Sequence, residues 1–236
     1  MEVRSLYREP ERQEQVEWGA LELHDVFKIF RAGDNDVVAL RGLDLRVDQG
    51  ELVAVLGPSG SGKTTFLHLA AGLDQPSAGE VRVSGRSLAR LDDSELAEYR
   101  ANELALVFQN GNLWPNLTAR ENVSVSLRLA NRDRGAADEA LAHFGLADRA
   151  GHRSGTLSGG EQQRVTIAAA AARHAPLVLA DEPTAELDER NEEVVLEEFR
   201  RLRRDFGATV VVVTHSPAVA ATADRVVEIR DGRAFV

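Results

Sequence analysis

A chain of 236 residues suits one large domain, or a domain with a subdomain, and is long enough to bury a substantial core. Its 28 basic and 38 acidic residues leave a formal charge of −10, which argues against a protein that coats nucleic acid, since that work needs a broad basic face. The absence of cysteine excludes disulfides and thiolate metal sites and is compatible with a reducing compartment.

Residues 1–18 mix Glu, Arg and Gln with few apolar side chains and read as a frayed or helical extension without chemistry of its own. They lack the apolar core of a signal peptide, and nowhere does an uninterrupted apolar run approach the roughly 18 residues a spanning helix needs. If the protein works at a membrane, another chain is expected to provide the span. Strand-like alternation begins at Leu21–Val26 and resumes over Val37–Val47, with Gly33-Asp34-Asn35-Asp36 as a turn. The apolar run Leu52–Leu56 is a short buried strand, and 79–85 is another with turn signals at both ends. Asp92 or Asp93 can start a helix through Arg100, and Leu104–Phe108 is the next strand, ending at Gln109.

From Thr118 to about Phe144 the periodicity is helical, opened by the capping-box pair Thr118 and Glu121 and interrupted at Gly135. This block has no strand signal. After it come a helix over 158–174, a strand over 177–181, a helix over 189–206, a strand over 208–213, a short helix from Ser216 and a strand over 225–229. Asp231-Gly232 makes a hairpin turn toward the C-terminus. Strands alternating with helices argue a mainly parallel sheet covered on both faces.

The stretch Gly57-Pro58-Ser59-Gly60-Ser61-Gly62-Lys63-Thr64 sits between the Leu52–Leu56 strand and a helix. That is the context required of a phosphate loop, in which glycines let successive N–H groups turn inward around a phosphate. Lys63 supplies a point charge for the outer phosphates, and the Thr64 hydroxyl is placed to ligate Mg²⁺. The strand Leu177–Ala180 ends in Asp181 and Glu182. Strand ends are where ligands of such sheets gather, so Asp181 is expected to reach Mg²⁺ directly or through water, opposite Thr64. Glu182, one step on, can orient and polarise an attacking water. In Leu157-Ser158-Gly159-Gly160-Glu161, Ser158 is an N-cap completed by Glu161 as a capping box, and the two glycines let a phosphate approach the exposed N–H groups. Taken alone it also reads as an ordinary capped helix.

In order and spacing these motifs resemble the ATP-binding subunit of ABC transporters over about residues 20–236. Gly57–Thr65 match the phosphate loop, Gln109 the glutamine-loop residue, Leu157–Gln162 the signature, Leu177–Glu182 the second Walker motif, Thr184–Asp188 the aspartate loop and His215 the switch histidine. The resemblance implies an α/β P-loop NTPase core over 19–236, with a mixed, mainly parallel sheet, an antiparallel β subdomain and an all-helical subdomain at about 110–175. It implies ATP and Mg²⁺ as ligands, with Thr64, Gln109 and Asp181 on the metal and Thr65 among the phosphate-loop contacts. Glu182, His215 and Lys63 are the expected catalytic set, His215 reaching the γ-phosphate. Phe30 stands where a tyrosine usually stacks on adenine, although plain core packing is the alternative. Two subunits are expected to pack head to tail, so that Ser158 and Gly160 of one complete the phosphate site of the other while Asp188 senses the neighbouring site.

Two departures stand out. Ala169 replaces a common arginine, and the aspartate loop carries Ala185-Glu186. Neither removes a phosphate, metal or water ligand.

Leu40–Asp44, 70–74 and 180–184 look most like the lipoprotein-release, macrolide-export and cell-division ATPases. The expected function is therefore ATP hydrolysis that drives a membrane permease complex through ATP-dependent dimerisation, at the cytoplasmic face of the cell membrane. No nucleic-acid partner is expected. Leu113, Trp114 and Leu117 could line the groove for a permease helix, or pack inside the helical block. The rivals are a soluble ATPase of the same fold acting in translation or DNA repair, and a module that holds ATP without cleaving it. Because the chain stops soon after its last strand, it is expected to lack the regulatory domain of many sugar importers.

Overall fold

Val210 to Val213 alternate in where they point, and that alternation organises the molecule. Val210 and Val212 join one apolar cluster, Val211 and Val213 the other. Leu177 and Leu179 side with the second cluster, Val178 and Ala180 with the first. A strand with period-two side chains and apolar residues at every position must be covered on both faces.

The computed structural model describes residues 17–32, 35–108, 112–185 and 187–235. Its central sheet has six strands in the order β10-β9-β3-β8-β7-β6, formed by β3 (Leu52–Leu56), β6 (Leu104–Val107), β7 (Leu177–Asp181), β8 (Thr209–Val213), β9 (Arg225–Arg230) and β10 (Arg233–Phe235). All neighbours are parallel except the β9–β10 hairpin. A second, antiparallel sheet has the order β2-β1-β4-β5, from β1 (Leu21–Ala32), β2 (Asn35–Val47), β4 (Ala78–Val83) and β5 (Arg86–Ser87). The two sheets enclose α1 (Lys63–Ala70), whose Phe66, Leu67 and Leu69 are buried with Leu21, Leu43 and Val81.

β1 runs six residues past the Leu21–Val26 read from the sequence. Pairing with β2 carries it on, and register shifts around Val26 and Lys28 absorb its irregular pattern. The two-residue β5 carried no sequence signal. Gly33 and Asp34 of the expected Gly33–Asp36 turn lie outside the described residues, while Asn35 and Asp36, read as turn, already belong to β2 and pair with Ala32 and Arg31.

The other face is helical. α3 (Ala119–Leu129) opens on the expected Thr118–Glu121 capping box, and α4 (Ala136–His143) follows Gly135. α2 (Asp93–Asn102), whose Leu96 and Tyr99 are buried on the α1 side of the sheet, carries a further capping box, Asp92 with Glu95, at the boundary read from the sequence. α5 (Gly159–Ala172) is the buried centre of this layer, packed against α3, α4, α6 and β6. Its run Ala168–Ala172 is buried throughout, because only small side chains let a helix be approached from so many sides. α6 (Glu189–Phe206) buries Val195, Leu196, Phe199 and Leu202 along one stripe and ends at Gly207, in the left-handed conformation at φ 66°. α7 (Pro217–Thr222) completes the chain's helices among the described residues.

Candidate nucleotide site

Three parallel strands end side by side, and each delivers one part of the site. Register places Asp181 opposite Val213, and Val55 opposite Val213 on the other side. The ladder continues one residue further, through Glu182 N–H to Val213 O at 2.9 Å and Thr214 N–H to Val55 O at 3.0 Å. Gly57, Asp181-Glu182 and His215 must therefore emerge together.

They line one pocket of about 540 Å³ with Ser59, Gly60, Gly62, Lys63, Thr64 and Thr65. The glycines are required there. A Cβ on Gly57 would sit 2.2 Å from Ile229 O, and one on Gly62, at φ 109°, 2.6 Å from Ala39 O.

Inside the pocket the buried Lys63 folds back on the loop, donating to Gly57 O at 2.7 Å and Pro58 O at 3.0 Å. An ammonium has three donors, which leaves one for a ligand. The Ser61 hydroxyl is buried beneath the loop with no hydrogen-bond partner. The Thr64 hydroxyl donates to Asp181 Oδ2 at 3.3 Å. Burial pushes the Asp181 carboxyl above the usual carboxylate range, the Thr64 hydrogen bond opposes that shift, and neighbouring Glu182 adds to it. A hydroxyl beside a half-buried carboxylate is a hard oxygen donor set that fits Mg²⁺.

Glu182 adopts φ 47°, a left-handed conformation uncommon for a residue with a Cβ. Its Oε2 lies 2.9 Å from His215 Nδ1 and also accepts the His215 backbone N–H at 3.3 Å. The His215 side chain is 71% exposed, so the ring is free to turn toward a ligand.

Phe30 is not in the pocket lining but next to it. It pairs with Val37, which lines the pocket, and both are exposed. Lys28 Nζ lies 5.0 Å from the Phe30 ring centroid, so the ring is a surface platform rather than core. Gln109 lies outside the described residues. Asn112 ties back to the end of β6, accepting from Phe108 N–H at 3.2 Å and donating to Leu106 O at 2.9 Å.

Ser158, Gly160 and Asp188 are elsewhere. Among the described residues the pocket lining contains none from 157–162. Ser158 accepts Glu161 N–H at 3.3 Å, and Glu161 accepts Ser158 N–H at 2.9 Å and Arg149 Nε at 2.9 Å. That arrangement, led by the Arg149 bond, holds the Glu161 carboxyl below its usual range. Asp188 caps α6 through Asn191 N–H at 2.9 Å, and Asn191 closes over Gly160, where a Cβ would lie 2.8 Å from Asn191 Oδ1.

A groove of about 230 Å³ lies between β6, α3 and α5, with Leu113, Trp114, Leu129, Ala169 and Arg173 in its lining. Trp114 is 50% and Leu129 62% exposed. Leu117 is not in this lining. Arg173 stands one turn beyond Ala169 and donates to the carbonyls of Arg100, Ala101 and Leu104.

Two polar residues, one beside this groove and one behind the nucleotide pocket, were missed from sequence. Asn122, on the buried stripe of α3 with Ala119 and Val123, accepts Trp114 N–H at 2.8 Å and donates to the Ser154 hydroxyl at 2.8 Å. An amide on an otherwise apolar stripe was the available signal. Glu192 in α6 joins Thr184 to Ser216, and its place in an acidic first turn offered no signal.

The ABC transporter family profile matches residues 40–185. An uncharacterized ABC transporter ATP-binding protein of Thermotoga maritima is 45% identical over 217 residues, covering 90% of this chain and 92% of the relative. The macrolide export ATP-binding/permease protein MacB of Rhodopseudomonas palustris is also 45% identical over 90% of this chain, which spans only 33% of that longer protein. A dimeric post-hydrolysis structure of the ATP-binding cassette MJ0796, bound to ADP and Pi, superposes with a TM-score of 0.84 at 39% identity, covering 92% of this chain and 97% of the cassette. This chain belongs to the ABC transporter ATP-binding family.

Proposed function

We propose that this ABC-type ATPase binds Mg²⁺-ATP at the β3–β7–β8 strand ends, closes as a head-to-tail dimer around it, and drives a membrane permease through the helical subdomain at 110–175. The permease is part of the same polypeptide or of another, and the cell membrane's cytoplasmic face is the place of work. One observation carries the reading: a phosphate loop, a metal-type oxygen pair and an acid–histidine pair converge in a single pocket, while the capped signature on the same chain lies outside its lining.

The roles follow from the chemistry. Loop N–H groups and Lys63 hold the β- and γ-phosphates, with Gly57, Ser59, Gly60, Ser61, Gly62 and Thr65 forming the cradle. Thr64 and Asp181, with Gln109, hold Mg²⁺, which when bound supplies positive charge against the phosphates. Phe30 offers its face to the adenine. Glu182 takes a proton from the water that attacks the γ-phosphorus, ADP leaves with the β–γ bridging oxygen, and His215 turns from Glu182 to the γ-phosphate. Ser158 and Gly160 of a second copy present helix N–H groups to the same phosphates, and Asp188 reports across the interface. The apolar groove at Trp114 and Leu129 receives a helix of the permease.

The test is Glu182→Gln, which keeps the shape and removes the base. Turnover is expected to fall by about 10²–10⁴, the range general-base loss produces, while Mg²⁺-ATP drives a stable dimer in size-exclusion chromatography. A Glu182→Gln protein that still turns over ATP and stays monomeric at saturating nucleotide would refute the reading.

A further inference from the structure

Glu192 sits one turn into α6, in a stretch that reads from sequence as a solvated acidic helix start, where negative charge simply complements the helix dipole. The structure gives it another task. Its Oε1 accepts the Ser216 hydroxyl at 2.6 Å and the Thr184 hydroxyl at 3.0 Å. Both are hydroxyl donors to a carboxylate, and the Ser216 bond falls in the short, charge-assisted range.

The two partners lie on the two loops that matter. Thr184 is buried, two residues beyond Glu182 on the loop leaving β7. Ser216 follows His215 on the loop leaving β8, donates its N–H to Thr214 Oγ1 at 3.0 Å and caps α7 through Val219 N–H at 3.5 Å. One carboxylate oxygen thus ties the two loops together just behind the Glu182–His215 pair. That pair needs holding, because Glu182 occupies φ 47°, a conformation that persists only when its surroundings impose it.

We propose that Glu192 is a positioning residue for hydrolysis: by bridging Thr184 and Ser216 it sets the placement of Glu182 against His215. The proposal rests on the reading of Glu182 and His215 as the hydrolytic pair. It predicts an effect on turnover with none on nucleotide capture, since Lys63 and the phosphate loop do not touch the bridge.

The experiment measures kcat, KM for ATP and melting temperature of the full chain with Mg²⁺, for Glu192→Ala, Glu192→Gln, Ser216→Ala, Glu182→Gln and His215→Ala. Glu192→Ala is expected to lower kcat about tenfold or more, the scale set by losing one charge-assisted hydrogen bond from a reacting geometry, with KM within about twofold. Glu192→Gln retains an oxygen able to accept both hydroxyls and is expected to restore most of kcat. Adding Ser216→Ala to Glu192→Ala is expected to lower kcat little further, because both cut the same bridge. Should Glu192→Ala fail to fold, Ser216→Ala against Glu192→Gln decides the matter on the same readouts. A loss in Glu182→Gln and His215→Ala, with kcat unchanged in Glu192→Ala or reduced only in proportion to unfolded protein, overturns the bridge and leaves the site reading standing. Full turnover in Glu182→Gln and His215→Ala overturns the site reading, and the bridge with it.

Discussion

Around the phosphate loop, polar groups point inward. Lys63 is buried and Asp181 half-buried in the lining of one pocket, and the neighbouring Ser61 keeps a buried hydroxyl without a partner. Around the signature, polar groups are spent on each other at the surface. Ser158 and Glu161 close their own capping box, Arg149 covers Glu161, and Ser158 and Gly159 are exposed. The first region carries desolvated charge that a phosphate and a cation would satisfy. The second is already satisfied by its own capping bonds. Under the proposed function, the signature is a pre-organised donor surface for an anion held by something else, and a second copy of the chain carrying a nucleotide on its loop has that form.

The comparison can be broken at its strongest point with Lys63→Ala. If the inward charge is what captures nucleotide, removing it should weaken ATP binding by about 1.5–3 kcal/mol, some 10- to 150-fold in Kd by equilibrium dialysis. Unchanged affinity would mean that the pocket does not bind through its phosphate grip.

The signature side is sharpened by Ser158→Asp. Aspartate caps a helix about as well as serine, so the melting temperature should hardly move. The added negative charge meets any phosphate brought to that surface, so ATP-driven dimers and turnover should be lost while the monomer still binds ATP. Dimers of Ser158→Asp forming as in the unmodified chain would show that the exposed cap receives no anion.

A smaller effect is expected from Asp181→Asn. Burial raises the Asp181 pKa, so its contribution favours the fold below the unfolded-state value and is lost as pH rises through the folded one. At neutral pH the ionised group therefore costs stability, and a bound cation offsets it. Without divalent ions, Asp181→Asn should melt slightly higher than the unmodified chain at pH 7 and lose that advantage in acid. With Mg²⁺-ATP, the unmodified chain should gain more. Identical melting curves at both pH values would remove the cost attributed to this carboxylate.

Much of this contrast was legible in the residues. Glycine spacing around Lys63, the paired carboxylates after Leu177–Ala180 and the Thr118, Asp92 and Ser158 caps are local signals, because each depends on backbone geometry within a few residues. Local chemistry also explains why helix starts were read more accurately than strand ends. Caps are made by neighbours in sequence, whereas β1 runs to Ala32 because β2 pairs with it. Gln109 lies outside the described residues, so its role remains part of the proposal.

The sequence by itself determined that this chain has a phosphate-loop motif, a strand ending in two carboxylates and a capped glycine helix, since each is a short-range consequence of residue type and spacing. Only the tertiary structure decided that Asp181, Glu182 and His215 share one pocket, that Ser158 and Gly160 stand outside it, and that Glu192 ties Thr184 to Ser216. Those relations join strands and loops far apart in the chain. They exist because parallel pairing of β3, β7 and β8 aligns their ends, which no window of neighbouring residues can encode.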